Sequence, residues 1–320
     1  MRRRAPLAVF VLVAAFAVWQ AAAAHAFDKN RAGFSVRFRG EINPHSVLGV
    51  FVLPGESLPI AVMPADVAAG PYEMQAAGGR LEATGKGAWR WQAPNVKGHV
   101  PLEIVQQPSG RTMTLNVFVM LPHSPAEEAV NGYRLGSYPA KPLRGLSLYL
   151  PPQGFVEVTA ENRDVLIAPH FTLGQFICKQ GSGFPKYVAL RERLMLKLER
   201  VLEGVNRAGF DVDTFFVMSG FRTPAYNQAI HNGPYSRHIY GDAADIFIDR
   251  DGDGWMDDLN RNGKSDLGDA IVLRDLVENL YKEPSFRESF TGGLGLYNST
   301  HAHGPYVHVD TRGFVARWTS

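Results

Sequence analysis

The sequence predicts an all-β N-terminal domain followed by an α+β C-terminal domain. Between residues 34 and 121, hydrophobic residues alternate with polar ones in short runs, as in half-buried strands. Beyond residue 150, apolar residues instead recur at helical spacing, with short apolar strands between the helical stretches. The chain has 320 residues, 45% of them hydrophobic, so two domains can each bury a core and a disordered chain is excluded.

Residues 1–26 have the three parts of a secretory signal peptide. Arg2, Arg3 and Arg4 precede an apolar run over residues 7–18, and small residues up to Ala26 form a cleavage site. The apolar run is shorter than the ~20 residues that a membrane-spanning helix needs. We therefore expect an exported, periplasmic protein with no membrane span after the signal is removed.

Residues 27–121 are predicted to form a small β-sandwich of immunoglobulin-like type. Turn residues flank each alternating run, and no helical periodicity interrupts the runs. The residues predicted to face inward in three of these runs are Phe34, Val36 and Phe38, then Val100, Leu102 and Ile104, then Met113, Leu115, Val117 and Val119. Since this region contains no cluster of reactive side chains, we expect it to position the rest of the protein or to bind a protein partner.

The C-terminal domain is predicted over residues 151–320, after a proline-containing connector at residues 122–150. Apolar residues from Tyr187 to Val205 have helical spacing, and Gly209 is a plausible stop. Strands are predicted over residues 214–219, 244–249 and 306–310, and short helices over residues 224–231 and 269–282. Helices and strands thus alternate, which is typical of an α+β fold.

Charge and cysteine content exclude several classes of protein. The chain has 33 basic and 31 acidic residues, and this near balance offers no broad positive field for nucleic acid. Its single cysteine, Cys178, can form neither an internal disulfide nor a multi-cysteine metal cluster. A transition metal would therefore have to bind histidine and carboxylate side chains.

Two separate segments supply a candidate metal site. His238 lies in a predicted loop, and Asp245 enters an apolar strand, where an unpaired carboxylate would be costly to bury. The period of two places His308 and Asp310 on the same side of the last predicted strand. Two imidazoles and one carboxylate form a three-ligand site with a position left for water, as in catalytic zinc sites. The alternative is a buried histidine beside a salt-bridged aspartate.

The motifs around these residues resemble a known family. They are Ser219-Gly220-Phe221-Arg222-Thr223-Pro224 with Tyr226-Asn227, then Ser236-x-His238-x-x-Gly241-x-Ala243-x-Asp245, and finally the strand with His308. In this order they resemble the zinc D-alanyl-D-alanine carboxypeptidases and related murein endopeptidases, whose fold is shared with the hedgehog signalling domain. The resemblance covers roughly residues 150–318.

The resemblance implies a metal, a substrate class and several roles. His238, Asp245 and His308 would be the zinc ligands, and peptidoglycan stem peptides would be the substrate. Arg222 would hold the substrate near the metal, where a guanidinium can stabilise developing oxyanion charge. Ser236, from the second motif, would support the ligands from outside the metal's immediate shell.

The sequence departs from the family pattern at the general base. Relatives commonly place Glu or Asp three residues before the last zinc histidine, and some place another histidine two residues before it. Here Pro305 and Tyr306 occupy those positions, and neither can act as a base at neutral pH. Tyr306 could instead donate a hydrogen bond to the oxyanion.

Three other residues remain candidates for the base. His303 and His301 lie in the loop before the last strand, and Asp310 lies beyond His308. We select His303 as base or transition-state stabiliser, although it could also be an exposed loop histidine. Asp310 could equally orient His308 from outside the metal's immediate shell.

An acidic insert over residues 249–269 has the spacing of a calcium-binding loop. Oxygen-bearing residues fit positions 1, 3, 5, 7, 9 and 12 of an EF-hand-type loop, with glycine at position 6. In the preferred register these are Asp258, Asn260, Asn262, Lys264 through its carbonyl, Asp266 and Asp269. A second register uses Asp249, Asp251, Asp253 and Asp257 but has only Asn260 at the twelfth position. We expect calcium in at least one register, and the alternative is an acidic solvated turn.

The sequence therefore predicts an exported zinc metallopeptidase that cleaves peptidoglycan peptides, as a carboxypeptidase or an endopeptidase. Pro305 supports a second hypothesis, a non-catalytic zinc-containing module that binds cell wall or protein. A calcium-dependent adhesion protein would leave the His238, Asp245 and His308 set unexplained. Serine hydrolysis is not predicted, because the sequence has no G-x-S-x-G motif.

Overall fold

The computed structural model describes residues 30–320, so the predicted signal peptide lies outside the described residues. The structure is rich in β-strands, with helices concentrated in the C-terminal half. Within residues 30–320, no helix combines the length and the apolar character needed to cross a bilayer.

The N-terminal region forms two sheets within the described residues. Its elements are β1 (Arg31–Phe38), β2 (Glu41–His45), β3 (Val47–Val52), β4 (Ser57–Val62), α1 (Pro64–Val67), β5 (Tyr72–Ala76), β6 (Arg80–Gly85), β7 (Ala88–Gln92), β8 (Gly98–Gln106) and β9 (Arg111–Val119). One sheet has the order β2-β1-β4-β7-β6 and the other β3-β9-β8-β5. Strands β3 and β9 pair in parallel, and the other pairs are antiparallel.

The alternating hydrophobic residues of these strands are buried. Every residue predicted to face inward on β1, β8 and β9 is buried in one hydrophobic core. Phe34 of β1 contacts Tyr72 of β5 edge to face, so the two sheets meet through their apolar faces. The N-terminal region is therefore an all-β structure as predicted, and its immunoglobulin-like type stays a prediction.

Short elements connect this region to the C-terminal domain. They are β10 (Leu121–Pro122), β11 (Ala129–Val130), β12 (Tyr133–Arg134), β13 (Gly154–Val158), β14 (Leu166–Ala168), β15 (Phe171–Thr172) and β16 (Lys186–Val188), with 3-10 turns at Leu143–Gly145, Ser147–Tyr149 and Leu173–Phe176. Strand β13 pairs with β10 on one side and with β16 on the other. The domain boundary within residues 122–150 stays a prediction.

A mixed sheet forms the centre of the C-terminal half. The elements of this part are α2 (Glu192–Arg207), β17 (Phe216–Ser219), α3 (Pro224–Ala229), a 3-10 turn (Arg237–Tyr240), β18 (Ala243–Phe247), α4 (Leu267–Leu280), α5 (Pro284–Phe290), β19 (Gly293–Tyr297), β20 (Tyr306–Asp310) and β21 (Ala316–Thr319). The strand order is β17-β18-β20-β19-β21, and β18, β19 and β20 are almost entirely buried.

The predicted elements mostly occur, with one difference at the long helix. The apolar repeat was expected to begin at Tyr187, but this residue lies in strand β16, and α2 begins at Glu192. Tyr187 pairs with Glu157 of β13 in an antiparallel ladder, so sheet pairing overrides the local helical spacing there. Helix α3 begins where expected because the Thr223 side chain caps it and Pro224 occupies its first turn.

Helix α2 connects the N-terminal sheets to the central sheet. On one side, Glu192 accepts a hydrogen bond from the Phe51 backbone N–H at 3.0 Å, and Glu203 pairs with Arg31 at 2.9 Å. On the other side, the fully buried Lys197 donates to the Asp310 carbonyl at 2.6 Å. The N-terminal region thus supports the strand that carries His308.

Candidate metal centre

One row of residues crosses the central sheet at the candidate metal site. Ser219 of β17 pairs with Asp245 of β18, and Asp245 pairs with His308 of β20. On the other side of His308, the row continues through Gly295 of β19 to Trp318 of β21. The sheet register therefore makes two of the predicted zinc ligands direct neighbours.

His238 completes the site from the 3-10 turn that leads into β18. Its Nε2 atom lies 3.2 Å from Asp245 Oδ1 and 3.1 Å from His308 Nδ1. His308 Nδ1 in turn lies 2.9 Å from the same Asp245 oxygen. Gly241 lets the chain turn between His238 and Asp245, because its φ is +75° and a side chain would meet the Ala189 carbonyl at 2.2 Å.

The second nitrogen of each imidazole has a fixed partner. His238 Nδ1 lies 2.7 Å from the Gly220 carbonyl, which can only accept, so Nδ1 carries the proton. His308 Nε2 lies 3.0 Å from Asp310 Oδ2, which makes this nitrogen the donor. In neutral rings, the lone pairs of His238 Nε2 and His308 Nδ1 therefore face each other and the carboxylate.

The three converging atoms form a site that requires positive charge. Three acceptors within 3.2 Å repel one another unless a cation lies between them. Ligand atoms around a tetrahedral zinc ion at ~2.0 Å are about 3.3 Å apart, close to the separations found here. The described groups with metal-binding geometry include this buried set of His238, Asp245 and His308. The donor set therefore fits zinc.

The electrostatics of the three groups are consistent with this interpretation. Burial and the nearby Arg222 charge lower the pKa of His238 to about 4, which keeps the ring neutral. Burial opposes charge on Asp245, but His238 and Arg222 more than offset it and hold the pKa of Asp245 well below its usual value. Burial likewise opposes charge on His308, yet hydrogen bonds to Asp245 and Asp310 raise its pKa. The carboxylate thus stays ionised and the surroundings favour a cation.

Arg222 donates a hydrogen bond to the Asp245 oxygen that does not face the imidazoles. Its Nη2 donates to Asp245 Oδ2, while Asp245 Oδ1 faces the imidazoles. Its Nε donates to Ser219 Oγ at 2.7 Å, which fixes the guanidinium over the end of β17. Arg222 therefore orients a metal ligand, in addition to the substrate contact that the sequence predicted.

Asp310 lies behind His308 and is held by several donors. Its Oδ1 accepts from the Gly293 backbone N–H at 2.8 Å, and both oxygens accept from Arg312. A side chain at Gly293 would approach Asp310 Oδ2 to 2.4 Å, so glycine is needed there. This arrangement matches the orienting role considered for Asp310 and leaves it on the far side of the ring from the metal site.

Two connected cavities open onto the site. A cavity of about 330 Å³ is lined by His238, Asp245 and His308, together with the predicted Ser236. A larger groove of about 880 Å³ lies next to it, and the two share Arg222, Asn232, Tyr297 and Tyr306 as lining residues. The larger groove therefore adjoins the cavity that contains the ligand set, and the four shared residues lie where the two meet.

Residues 169–265 match the family model described as Peptidase M15. The match lies in the C-terminal half of the chain and covers less than a third of the 320 residues. This confirms the resemblance to the zinc D-alanyl-D-alanine carboxypeptidases, a zinc-dependent family that acts on peptidoglycan peptides. The match contains Arg222, His238 and Asp245, whereas His308 lies beyond it and is joined to the site by the sheet.

The comparisons with curated proteins and with solved structures give no further information on the family or the fold. No curated protein matches the chain. Among solved structures, the crystal structure of the Lin-41 filamin domain is similar to part of it, at 10% sequence identity and a TM-score of 0.18. That similarity covers 28% of this chain and 93% of the filamin-domain chain. At this TM-score it carries no conclusion about the fold.

The predicted catalytic residues Tyr306, His303 and His301, which lie beyond the matched segment, have different surroundings. Tyr306 lines both cavities and stacks on Tyr297 with a centroid distance of 4.5 Å. Burial raises the pKa of Tyr306, so its hydroxyl remains a donor at neutral pH. His303 lines the larger groove and packs edge to face on Tyr306, while His301 lies in an exposed turn.

Several residues at the site were not predicted from the sequence. Trp318 packs over His308 at 5.1 Å between ring centroids, and its indole N–H donates to the Tyr297 hydroxyl at 2.9 Å. A side chain at Gly295 would lie 2.4 Å from this indole, so the glycine makes room for it. Local sequence held no signal for this contact, because β19 and β21 are brought together only by the sheet.

The acidic insert forms two successive turns. In the first turn, Asp249 Oδ1 accepts from the Gly252 and Asp253 backbone N–H groups at 2.8 and 3.1 Å. Asp249, Asp251 and Asp257 place carboxylate oxygens within 4.8 Å of one another. These residues belong to the second predicted calcium register.

In the preferred calcium register, the side-chain oxygens of the predicted ligands accept hydrogen bonds in a turn and at the start of a helix. Asp258 Oδ1 accepts from the Asn262 N–H at 3.0 Å, as in a compact turn. Asp266 and Asp269, however, form the capping box of α4, and Asp269 Oδ1 also accepts from the Leu259 N–H at 2.8 Å. The last two predicted ligands thus stabilise a helix start. Calcium binding in either register stays a prediction.

Proposed function

We propose that this protein is an exported zinc metallopeptidase that hydrolyses peptide bonds in peptidoglycan peptides. The observation that carries the proposal is the convergence of three lone-pair-bearing atoms from His238, Asp245 and His308 within 3.2 Å, in the lining of the smaller cavity. The Peptidase M15 match over residues 169–265 supports the same reaction class and substrate. Export rests on the predicted signal peptide.

His238 Nε2, His308 Nδ1 and a carboxylate oxygen of Asp245 would hold the zinc ion. When bound, zinc supplies a Lewis acid that lowers the pKa of water and polarises a peptide carbonyl. The protein's own contribution is to keep His238 neutral and to orient both imidazoles through Gly220 and Asp310. A ligand set held in this way needs little rearrangement during the reaction.

Two side chains next to the metal centre can stabilise negative charge on a carbonyl oxygen. Tyr306 keeps its proton at neutral pH and lines both cavities. Arg222 is mostly buried and fixed by Ser219 and Asp245. Donors that are fixed before the reaction stabilise the transition state more than mobile donors do, because they need no reorganisation as charge develops.

His303 is the group that we propose as the base. Its Nδ1 lies 2.7 Å from the Gly304 carbonyl, so this nitrogen carries the proton and Nε2 carries the lone pair. An imidazole in this tautomer can accept a proton from water and return it to the leaving amine. The groove would let His303 reach a bound peptide.

A non-catalytic zinc-containing module that binds cell wall or protein is the second candidate. One observation favours it: among residues 30–320, Asp245 is the only Asp or Glu side chain that lines either cavity at the metal centre. A carboxylate base of the kind expected in the family is therefore missing from the lining. Such a module would bind peptide without cleaving it.

Incubation of the purified protein with muropeptides separates the two candidates. A peptidase releases new amino groups or shortened peptides with zinc, and the products disappear when a chelator is added. The His303→Gln variant should reduce turnover by about 10²-fold, since a general base typically contributes this much or more. Retained peptide binding with no product under any metal condition would instead establish the binding module.

A further inference from the structure

The larger groove contains a cationic group that the proposed mechanism does not use. Lys179 and Arg222 both line the groove. In the described part of the chain, Lys179 takes part in no ion pair, and no Asp or Glu side chain lines this groove. The groove therefore presents the unpaired Lys179 next to Arg222, whose own ion pair is with Asp245 outside the groove lining.

The position of Lys179 is determined by buried backbone contacts. The buried Lys186 ammonium donates to the carbonyls of Cys178, Gln180 and Gly181 at 2.9, 2.9 and 2.8 Å, and so fixes the loop that carries Lys179. A loop held by three charge-assisted hydrogen bonds keeps its shape when a ligand binds.

Two hydrogen bonds hold this loop against the segment that carries Arg222. The Phe221 N–H donates to the Phe176 carbonyl at 2.9 Å, and the Thr223 hydroxyl donates to Gln180 Oε1 at 2.8 Å. Along the chain, Lys179 lies between Phe176 and Gln180, and Arg222 lies between Phe221 and Thr223. The two hydrogen bonds therefore flank both residues. Partial burial and the nearby Arg222 charge lower the pKa of Lys179, as expected for like charges held close together.

We infer that Lys179 is a specificity-determining residue, whose ammonium group binds a carboxylate of an acidic peptide while the peptide's scissile bond lies at the metal centre. This inference rests on the proposed function, because it assigns a substrate class to the same site. A carboxylate between Lys179 and Arg222 would relieve their mutual repulsion and form charge-assisted hydrogen bonds. The exposed Trp255, which also lines the groove, offers an apolar wall for the rest of the chain.

The test uses two peptides that differ only in one group near the scissile bond, a side-chain carboxylate or its carboxamide. For the zinc-loaded full chain, we expect kcat/KM to be about 10-fold higher for the acidic peptide, mainly through KM. Lys179→Gln should bring this ratio close to one, and Lys179→Arg should retain most of it. Lys86→Gln, at an exposed lysine in the N-terminal region, is the matched control and should keep the wild-type ratio.

Charge reversal provides a stricter test. Lys179→Glu should favour a peptide that carries lysine in place of the acidic residue. Equal losses for both peptides in Lys179→Gln, or no preference in the wild-type protein, would overturn the inference.

If the wild-type protein cleaves neither peptide, the proposed function fails but the inference can still be tested. Calorimetric titration then measures binding of the two peptides to the zinc-loaded chain. Tighter binding of the acidic peptide that Lys179→Gln abolishes would support Lys179 as the carboxylate site. Equal binding of both peptides would overturn it.

Discussion

Asp245 and His308 are direct cross-strand neighbours, with Oδ1 and Nδ1 2.9 Å apart, although 63 positions separate them along the chain. The ladder between β18 and β20 sets this distance, because both residues lie in the buried middle of the sheet. The ligand set is thus part of the domain's core. Loss of the metal should affect both the stability and the chemistry of the protein.

Replacing His308 should remove the metal. We expect His308→Ala to reduce bound zinc from about one ion per chain to almost none, since two protein ligands bind zinc weakly. Added zinc should raise the melting temperature of the wild-type protein but not that of the variant. Metal analysis and thermal unfolding measure both effects. His301→Ala, at an exposed turn, is the control, and equal zinc content in the two variants would refute this ligand assignment.

A side chain at Gly295 should disturb the metal site through Trp318, which packs against His308. An added Cβ would lie 2.4 Å from the Trp318 indole, so Gly295→Ala should lower the free energy of unfolding by about 1–3 kcal/mol. Urea unfolding measures this loss. Gly85→Ala is a matched strand control, because its Cβ would meet only Ala88 at 3.8 Å. A similar, small effect in both variants would show that Trp318 moves aside at little cost.

His45, in the N-terminal sheet, should make stability depend on pH. Burial is the main cause that lowers its pKa from 6.5 to about 4. Below pH 6.5 the unfolded chain therefore binds a proton that the folded chain does not, and stability falls as the pH decreases towards 4. Between pH 7 and pH 5 this group should account for a loss of about 2 kcal/mol.

Urea unfolding of His45→Gln at both pH values isolates this contribution. The variant should lose about 2 kcal/mol less than the wild-type protein over the same interval, whatever its stability at pH 7. Equal losses in both proteins would show that His45 becomes protonated without a cost in the folded state. His231, in an exposed position, provides a comparison through His231→Gln.

Calcium binding by the acidic insert can be tested register by register. Asp249, Asp251 and Asp257 already lie close together, so we expect Asp249→Asn to weaken calcium binding about 10-fold or more. Asp258→Asn removes the first ligand of the other register and is the matched variant. Calorimetric titration with calcium measures both. A larger effect of Asp258→Asn would place the ion in the other register, and no heat of binding in the wild-type protein would rule out calcium.

The sequence contained enough information to predict that the first half is rich in strands and that His238, Asp245 and His308 are candidate metal ligands. Alternation predicted the buried residues of β1, β8 and β9, because a strand with one buried face requires a period of two. A carboxylate entering an apolar strand indicated that Asp245 needs a charged partner, and the resemblance named His238, Asp245 and His308 together as zinc ligands. The resemblance added the reaction class, which no periodicity could supply.

Only the tertiary structure decided how these residues are held and what surrounds them. Sheet pairing placed Tyr187 in a strand, brought Trp318 over Gly295 and turned Asp310 behind His308. Backbone contacts across the fold placed Lys179 beside Arg222. Such contacts depend on the register between distant segments, which local sequence patterns do not encode, because each segment can satisfy its own periodicity in many pairings.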